Sequence, residues 1–169
     1  IMGTNITYAV NLPGSSDNAV VNITNSNIAG NIALNIWGAD MKVYVTDTTL
    51  TSVDNSAAEN YAAVSVNNDG AGNAAENTMV YITGGSIIAK DEKGELSSAI
   101  RIAAATATVN VSETTEVTGK YVKPVVIVTY ENTTDFYSFT TLEAAIAKVN
   151  KDKIGSIKLL ADVTVDEIL

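Results

Sequence analysis

The chain has 169 residues, 46% of them hydrophobic and 17% charged, so it can bury the core of a folded domain and is not intrinsically disordered. Its net charge of −9, with only ten basic residues, argues against binding to nucleic acid or to an acidic membrane surface. Cysteine and histidine are both absent, which excludes disulfides, Cys/His zinc sites, Ser-His-Asp triads and cysteine nucleophiles within this chain. The sequence also lacks the run of about eighteen apolar residues that a membrane-spanning helix needs, so we expect no membrane insertion.

The N-terminal twenty residues are only weakly patterned. Apolar side chains alternate with polar ones at Ile6, Tyr8, Val10 and Leu12, which predicts one strand. The segment 13–17, PGSSD, is a turn signal after that strand.

A short pattern then recurs four times. It reads apolar, polar, apolar, then a small polar corner and a further apolar residue, as in the octet 21–28, VNITNSNI. The repeats open at Val21, Val43, Val80 and Val109. A second apolar segment follows each of them, at 32–36, 62–66, 98–102 and 124–128. Openings about 22, 37 and 29 residues apart, with a period of two, predict an all-β parallel β-helix with loops of variable length.

The same octet predicts which side chains face the core. Alternation along the strand turns Val21 and Ile23 inward and Asn22 outward. The outward position holds Tyr44 in the second repeat and Tyr81 in the third, so we expect these two rings to stack on one face. The corner residues are expected to lie one above the next in the order Asn25, Asp47, Gly84 and Glu113.

Beyond residue 119 the pattern changes. An apolar strand is expected over 121–130, with a turn at 131–135. Thr140 as N-cap and Glu143 three residues later form a capping box, which predicts a helix. Its apolar stripe is Leu142, Ala145, Ile146 and Val149. Strands are expected again at 157–160 and 163–165, so we divide the chain into β-helix coils at 1–130 and a hairpin, helix and strands at 131–169.

Two segments of the C-terminal part resemble a known class of proteins. The sequences TLEAAI at 141–146 and IKLLADVT at 157–164 are similar to the opening of right-handed parallel β-helix domains of the pectin-lyase-like class in bacterial surface proteins. The resemblance implies a right-handed coil with one short capping-type α-helix near the C-terminus, in a secreted or cell-surface protein. The helix comes last here, so it either caps this β-helix or begins a following one, and we favour the second.

Enzymes of this class place clustered carboxylates and a Lys or Arg on the outside of the coil. Arg101, next to the charged loop 90–95, is therefore a candidate polysaccharide contact or base. The alternative is an ordinary outward-facing strand residue, which we favour.

Aromatic side chains and one Gly/Asn-rich loop give the remaining candidate sites. Tyr44, Tyr81 and Trp37 are candidates for a platform that binds glycans, and the alternative is cross-strand pairing that stabilises the sheet. Asp69 lies in a loop, NNDGAGN, that superficially resembles a Ca²⁺ site. Calcium needs six to eight oxygen ligands, so a Gly/Asn turn is the better interpretation and we expect no cofactor.

The leading functional hypothesis is a non-catalytic β-helix module of a secreted or cell-wall-attached bacterial protein, and we assign no catalytic residue. Such a module would act as a stalk, an adhesin or a self-assembling surface element, with cell-surface or host glycans as possible partners. Unpaired strand edges at the two ends of the coil predict head-to-tail self-association. The alternative is a polysaccharide-binding or polysaccharide lyase-like module.

Overall fold

Three parallel sheets run along the length of the molecule. The computed structural model describes residues 8–53, 62–68, 72, 74–89, 98–121, 123–153 and 155–162. In chain order the coil strands are β1 Tyr8–Leu12, β2 Val20–Thr24, β3 Asn27–Gly30, β4 Ile32–Ile36, β5 Lys42–Thr46, β6 Thr49–Ser52, β7 Val64–Val66, β8 Met79–Thr83, β9 Ser86–Ile88, β10 Ile100–Ile102, β11 Thr108–Val111 and β12 Glu116–Thr118. Every third strand joins the same sheet: β1, β4, β7 and β10 form sheet 1, β2, β5, β8 and β11 form sheet 2, and β3, β6, β9 and β12 form sheet 3. Within the described residues these strands make four coils of three strands, which confirms the all-β parallel β-helix.

In-register columns of aliphatic side chains build the core. In sheet 2 the pairs Val21–Val43, Val43–Val80 and Val80–Val109 are aligned as the repeat predicted. Sheet 3 adds the column Ile28, Leu50, Ile87 and Val117. The β-branched residues suit these strands because their side chains stand against neighbours on a pleated surface. Each coil therefore buries its inner face against its neighbouring coils.

Left-handed corner residues join the sheets. Between sheets 2 and 3 the corner residues Asn25, Asp47 and Gly84 have φ of 47°, 48° and 67°, as expected for residue types that tolerate this conformation. A second stack lies between sheets 1 and 2 at Asn18, Asp40 and Asn77, with φ of 62°, 54° and 55°. The repeat pattern did not reveal this second stack because variable loops precede it.

The last part of the chain folds back along the side of the coil. It contains β13 Val126–Thr129, β14 Phe136–Phe139, α1 Leu142–Asp152 and β15 Ser156–Leu159. These three strands form an antiparallel sheet in the order β14-β13-β15. Alternation along β13 turns Ile127 towards the coil and Val126 and Val128 towards the helix. The helix is therefore the outermost of three layers, and we call β13, β14, β15 and α1 the C-terminal layer.

One assignment made from sequence is wrong in this part. The segment 124–128 does not complete a fourth repeat, because β13 pairs with β14 and β15 instead. Among the described residues, the last parallel pairing along the coil is a single bridge between Ser98 and Lys120. Pro124 has no N–H to donate to a further parallel pairing. Tyr121 packs on the end of the core, and burial raises its pKa to about 12.

The helix is present but begins one residue later than predicted. Thr141 is the N-cap, because its hydroxyl accepts a hydrogen bond from the amide of Ala144, so Thr140 and Glu143 do not form the expected capping box. Lys153 closes the helix in the left-handed conformation. Ala145 is fully buried, whereas Ile146 of the predicted apolar stripe is exposed.

Candidate binding groove

The two tyrosines in the outward column of sheet 2 stack on each other. Tyr44 and Tyr81 are paired in register, and their ring centroids are 5.1 Å apart with an interplanar angle of 13°. The stacking prediction is therefore confirmed. Asn22 and Asn110 occupy the same column in the first and fourth coils.

The C-terminal layer covers one end of this column. Tyr81 is only 2% exposed, because Phe136 packs against it at a centroid distance of 5.7 Å and Tyr137 meets it edge-on at 6.5 Å. Burial is also the main reason that the pKa of Tyr81 is raised. The side chain points away from the core as predicted, but the expectation that its ring is exposed is wrong. Asn110 is covered as well, and its side-chain oxygen accepts a hydrogen bond from the amide of Ser138.

A cluster of three side chains joins the C-terminal layer to the second coil. Asp135, in the loop between β13 and β14, accepts hydrogen bonds from Lys42 Nζ at 2.7 Å and from the Tyr44 hydroxyl at 2.8 Å. Partial burial alone would raise the pKa of Asp135, but these hydrogen bonds outweigh it and lower the pKa below its usual value. The hydrogen bond between Lys42 and Asp135 raises the pKa of Lys42. Burial, together with the hydrogen bond to Asp135, raises the pKa of Tyr44. We call Lys42, Tyr44 and Asp135 the latch.

A groove of about 700 Å³ lies between the outer face of sheet 2 and the C-terminal layer. Its floor contains Asn22, Tyr44 and the threonines Thr46 and Thr83, and the loop before β14 forms its wall. Lys158 of β15 and Glu113 of the fourth coil form an ion pair at 2.5 Å and also line the groove. This volume is typical of sites for small organic ligands, and the hydroxyls and the aromatic ring offer both polar and apolar contacts.

The other two predicted binding residues lie on or next to a different sheet. Trp37 directly follows β4 and is partly exposed, and its amide donates to the carbonyl of Leu12. Arg101 lies on β10 and points away from the core, as expected. Arg101 belongs to sheet 1 and Trp37 lies directly beyond a strand of that sheet, so the structure does not bring them to the groove formed by Tyr44.

A ladder of amide side chains along sheet 1 was not predicted from the sequence. Asn35 Nδ2 donates to Asn11 Oδ1 at 2.6 Å, and Asn67 Nδ2 donates to Asn35 Oδ1 at 2.7 Å. Arg101 donates to Asn67 Oδ1 at 3.0 Å, which gives this arginine a structural contact. Asn35 and Asn67 are buried, so these hydrogen bonds satisfy polar groups that would otherwise be costly. The sequence did not predict this register, because the number of residues between β4 and β7 does not show which asparagines align.

The candidate calcium residue Asp69 and the charged loop 90–95 lie outside the described residues. Within the part of the chain that the structure describes, no group of three or more acidic side chains could hold a metal ion. Across the same residues, no helix is both long and apolar enough to span a bilayer.

Comparisons with protein family models, with curated proteins and with solved structures gave no match. The class of this protein therefore follows from its fold, a parallel β-helix with a lateral α/β layer. The pectin-lyase-like assignment stays a prediction from the two C-terminal segments.

Proposed function

We propose that this chain is a non-catalytic β-helix module of a secreted or cell-wall-attached protein, serving as a stalk or adhesin element. The observation that carries the proposal is the in-register alignment of all three sheets over successive coils. Such a core is complete without a ligand, and its coils hold outward side chains at fixed spacings. These are the properties that a rigid presenting surface requires.

The chemistry of the outer face also favours a structural or binding role. Its candidate catalytic cation, Arg101, is engaged by the buried amide of Asn67. Lys158, which lines the groove, is paired with Glu113, and Lys42, outside the lining, is paired with Asp135, so neither lysine is left free to act on a substrate. The surface or secreted setting rests on the resemblance of residues 141–146 and 157–164 to bacterial β-helix proteins.

Self-association is part of this proposal. In the first coil, β2 is an edge strand of sheet 2 among the described strands, and Val20 on its outer face is 63% exposed. Exposed parallel edges template the addition of further strands. Sedimentation velocity over a concentration series is expected to show oligomers that form reversibly. A strict monomer at the highest concentration would contradict self-association.

A polysaccharide cleavage assay tests the non-catalytic role. Neutral and acidic polysaccharides are incubated with the protein, with and without Ca²⁺, and new reducing ends and unsaturated products are measured. No product is expected. Cleavage that is lost in Arg101→Ala but kept in a control with an exposed cation replaced, Lys151→Ala, would replace this proposal with the lyase-like alternative.

A further inference from the structure

The ring of Tyr44 has one covered face and one open face. Tyr81 covers the face towards the third coil by stacking at 5.1 Å. On the side of the first coil the aligned residue is Asn22, an exposed side chain too short to cover a phenol ring. Tyr44 and Asn22 both line the groove.

The latch holds this ring in one orientation. The Tyr44 hydroxyl donates to Asp135, and Tyr81 packs behind the ring, so the aromatic plane is fixed before any ligand arrives. A side chain that is already ordered loses little conformational entropy on binding. The groove is thus preorganised around one flat apolar surface.

The charges at the groove cancel in pairs. Lys42 is bonded to Asp135 at 2.7 Å, and Lys158 is bonded to Glu113 at 2.5 Å. The remaining polar groups of the lining include the hydroxyls of Thr46, Thr83 and other threonines, together with the amide of Asn22. A charged ligand would have to break one of these ion pairs, and the net charge of −9 repels anions further. An uncharged ligand rich in hydroxyl groups fits this lining without that cost.

From this geometry we infer that the groove binds a neutral oligosaccharide, with one sugar ring packed on the open face of Tyr44. The electropositive C–H groups of a pyranose complement the negative face of an aromatic ring. Asn22 and Thr46 lie beside that face and can exchange hydrogen bonds with the sugar hydroxyls. The inference goes beyond the structural role proposed above, because the coil is complete whether or not the groove is occupied.

Binding is tested by NMR titration of the whole chain with neutral oligosaccharides of glucose, mannose, xylose and N-acetylglucosamine, and with oligogalacturonate. We expect at least one neutral oligomer to bind and to shift the resonances of Tyr44 and Asn22. Oligogalacturonate is expected to bind at least about tenfold more weakly, a difference of about 1.4 kcal/mol. Absence of binding by every neutral oligomer up to millimolar concentration, or tighter binding of oligogalacturonate, overturns the inference.

One variant locates the site without breaking the latch. Asn22→Tyr extends the tyrosine stack over the open face of Tyr44 and is expected to weaken binding at least about tenfold. Thr118→Tyr is the matched control, because it adds the same ring at an exposed position on an edge strand of sheet 3. Equal affinity in Asn22→Tyr and in the wild type would place the ligand elsewhere, whereas cleavage of the oligomer would contradict only the non-catalytic role.

Discussion

Lys42 and Asp135 are 93 residues apart in sequence, yet their charged atoms lie 2.7 Å apart. One is on the second coil and the other in the loop before β14, so this ion pair joins the C-terminal layer to the coil. The lowered pKa of Asp135 and the raised pKa of Lys42 both show that folding favours the charged forms.

Asp135→Asn is expected to destabilise the protein by about 1–2 kcal/mol at pH 7, because Lys42 and Tyr44 lose a charged acceptor. The folded pKa of Asp135 lies below 3.8. Its contribution is therefore complete above about pH 4 and is lost as the pH falls through the lowered pKa. The contribution of Lys42 is present below 10.5 and is lost as the pH rises through its raised pKa.

Urea unfolding of the wild type and Asp135→Asn at pH 7 and at pH 3 checks this prediction. The difference between them is expected to shrink at pH 3, and Asp162→Asn, at an exposed position, serves as the control. A difference of the same size at both pH values would show that the ionised carboxylate is not what stabilises the latch.

Thr141→Ala is expected to cost about 1 kcal/mol, since it removes the acceptor for the amide of Ala144. Thr140→Ala is a matched control, because Thr140 is also exposed and only one residue away. Circular dichroism during urea unfolding measures the stability of the two variants, and hydrogen exchange at the Ala144 amide measures the loss of its hydrogen bond. Equal losses in the two variants would mean that the first turn of α1 does not depend on the side chain of Thr141.

Gly85→Ala is expected to destabilise the third coil by at least about 2 kcal/mol. The residue has φ of +67°, and an added Cβ would lie 2.2 Å from the carbonyl oxygen of Thr48 in the coil before it. Gly14→Ala meets nothing within 4 Å and is expected to change stability by less than about 0.5 kcal/mol. Thermal unfolding of both variants measures the difference between their losses of stability. An unchanged stability in Gly85→Ala would mean that neighbouring coils can move apart locally.

Asn67→Ala is expected to cost about 1–3 kcal/mol, because it leaves the buried oxygen of Asn35 without its donor. It also removes the acceptor of Arg101. Asn11→Ala, at the exposed end of the same ladder, is expected to cost less than about 1 kcal/mol. A double-mutant cycle between Asn35 and Asn67 gives their coupling, and zero coupling would show that the two amides act independently.

The columns of sheet 2 could be predicted because the apolar residues alternate strictly with polar ones. This alternation indicates which side chains face the core. Val21, Val43 and Val80 each open the same octet, so both their register and the stacking of the adjacent outward residues follow. The segment 124–128 was misassigned because a short apolar run suits a parallel strand and an antiparallel one equally. Nothing local distinguishes the two, since the choice depends on the hairpin partner Phe136–Phe139.

Half of the groove could be predicted for the same reason. The open ring of Tyr44 follows from the repeat, but Asp135 reaches it across 91 residues. The burial of Tyr81 has the same origin, because the covering layer is distant in sequence. The N-cap was predicted one residue too early. Thr140 and Thr141 have the same side chain, and only the backbone geometry distinguishes the N-cap from its neighbour.

The sheets also differ in how far apart in sequence their paired strands lie. In sheet 2, Val43 pairs with residues 22 positions before and 37 positions after it, whereas Thr129 pairs with Phe136 only seven residues later. Closing a short loop costs less entropy, so the β13–β14 hairpin can form before any coil is complete. Once formed, this hairpin exposes Ile127 and Phe136 as an apolar surface against which Tyr81 can pack. The last segment of the chain would then act as a template for the third coil during folding, although in the finished protein it is only an outer layer.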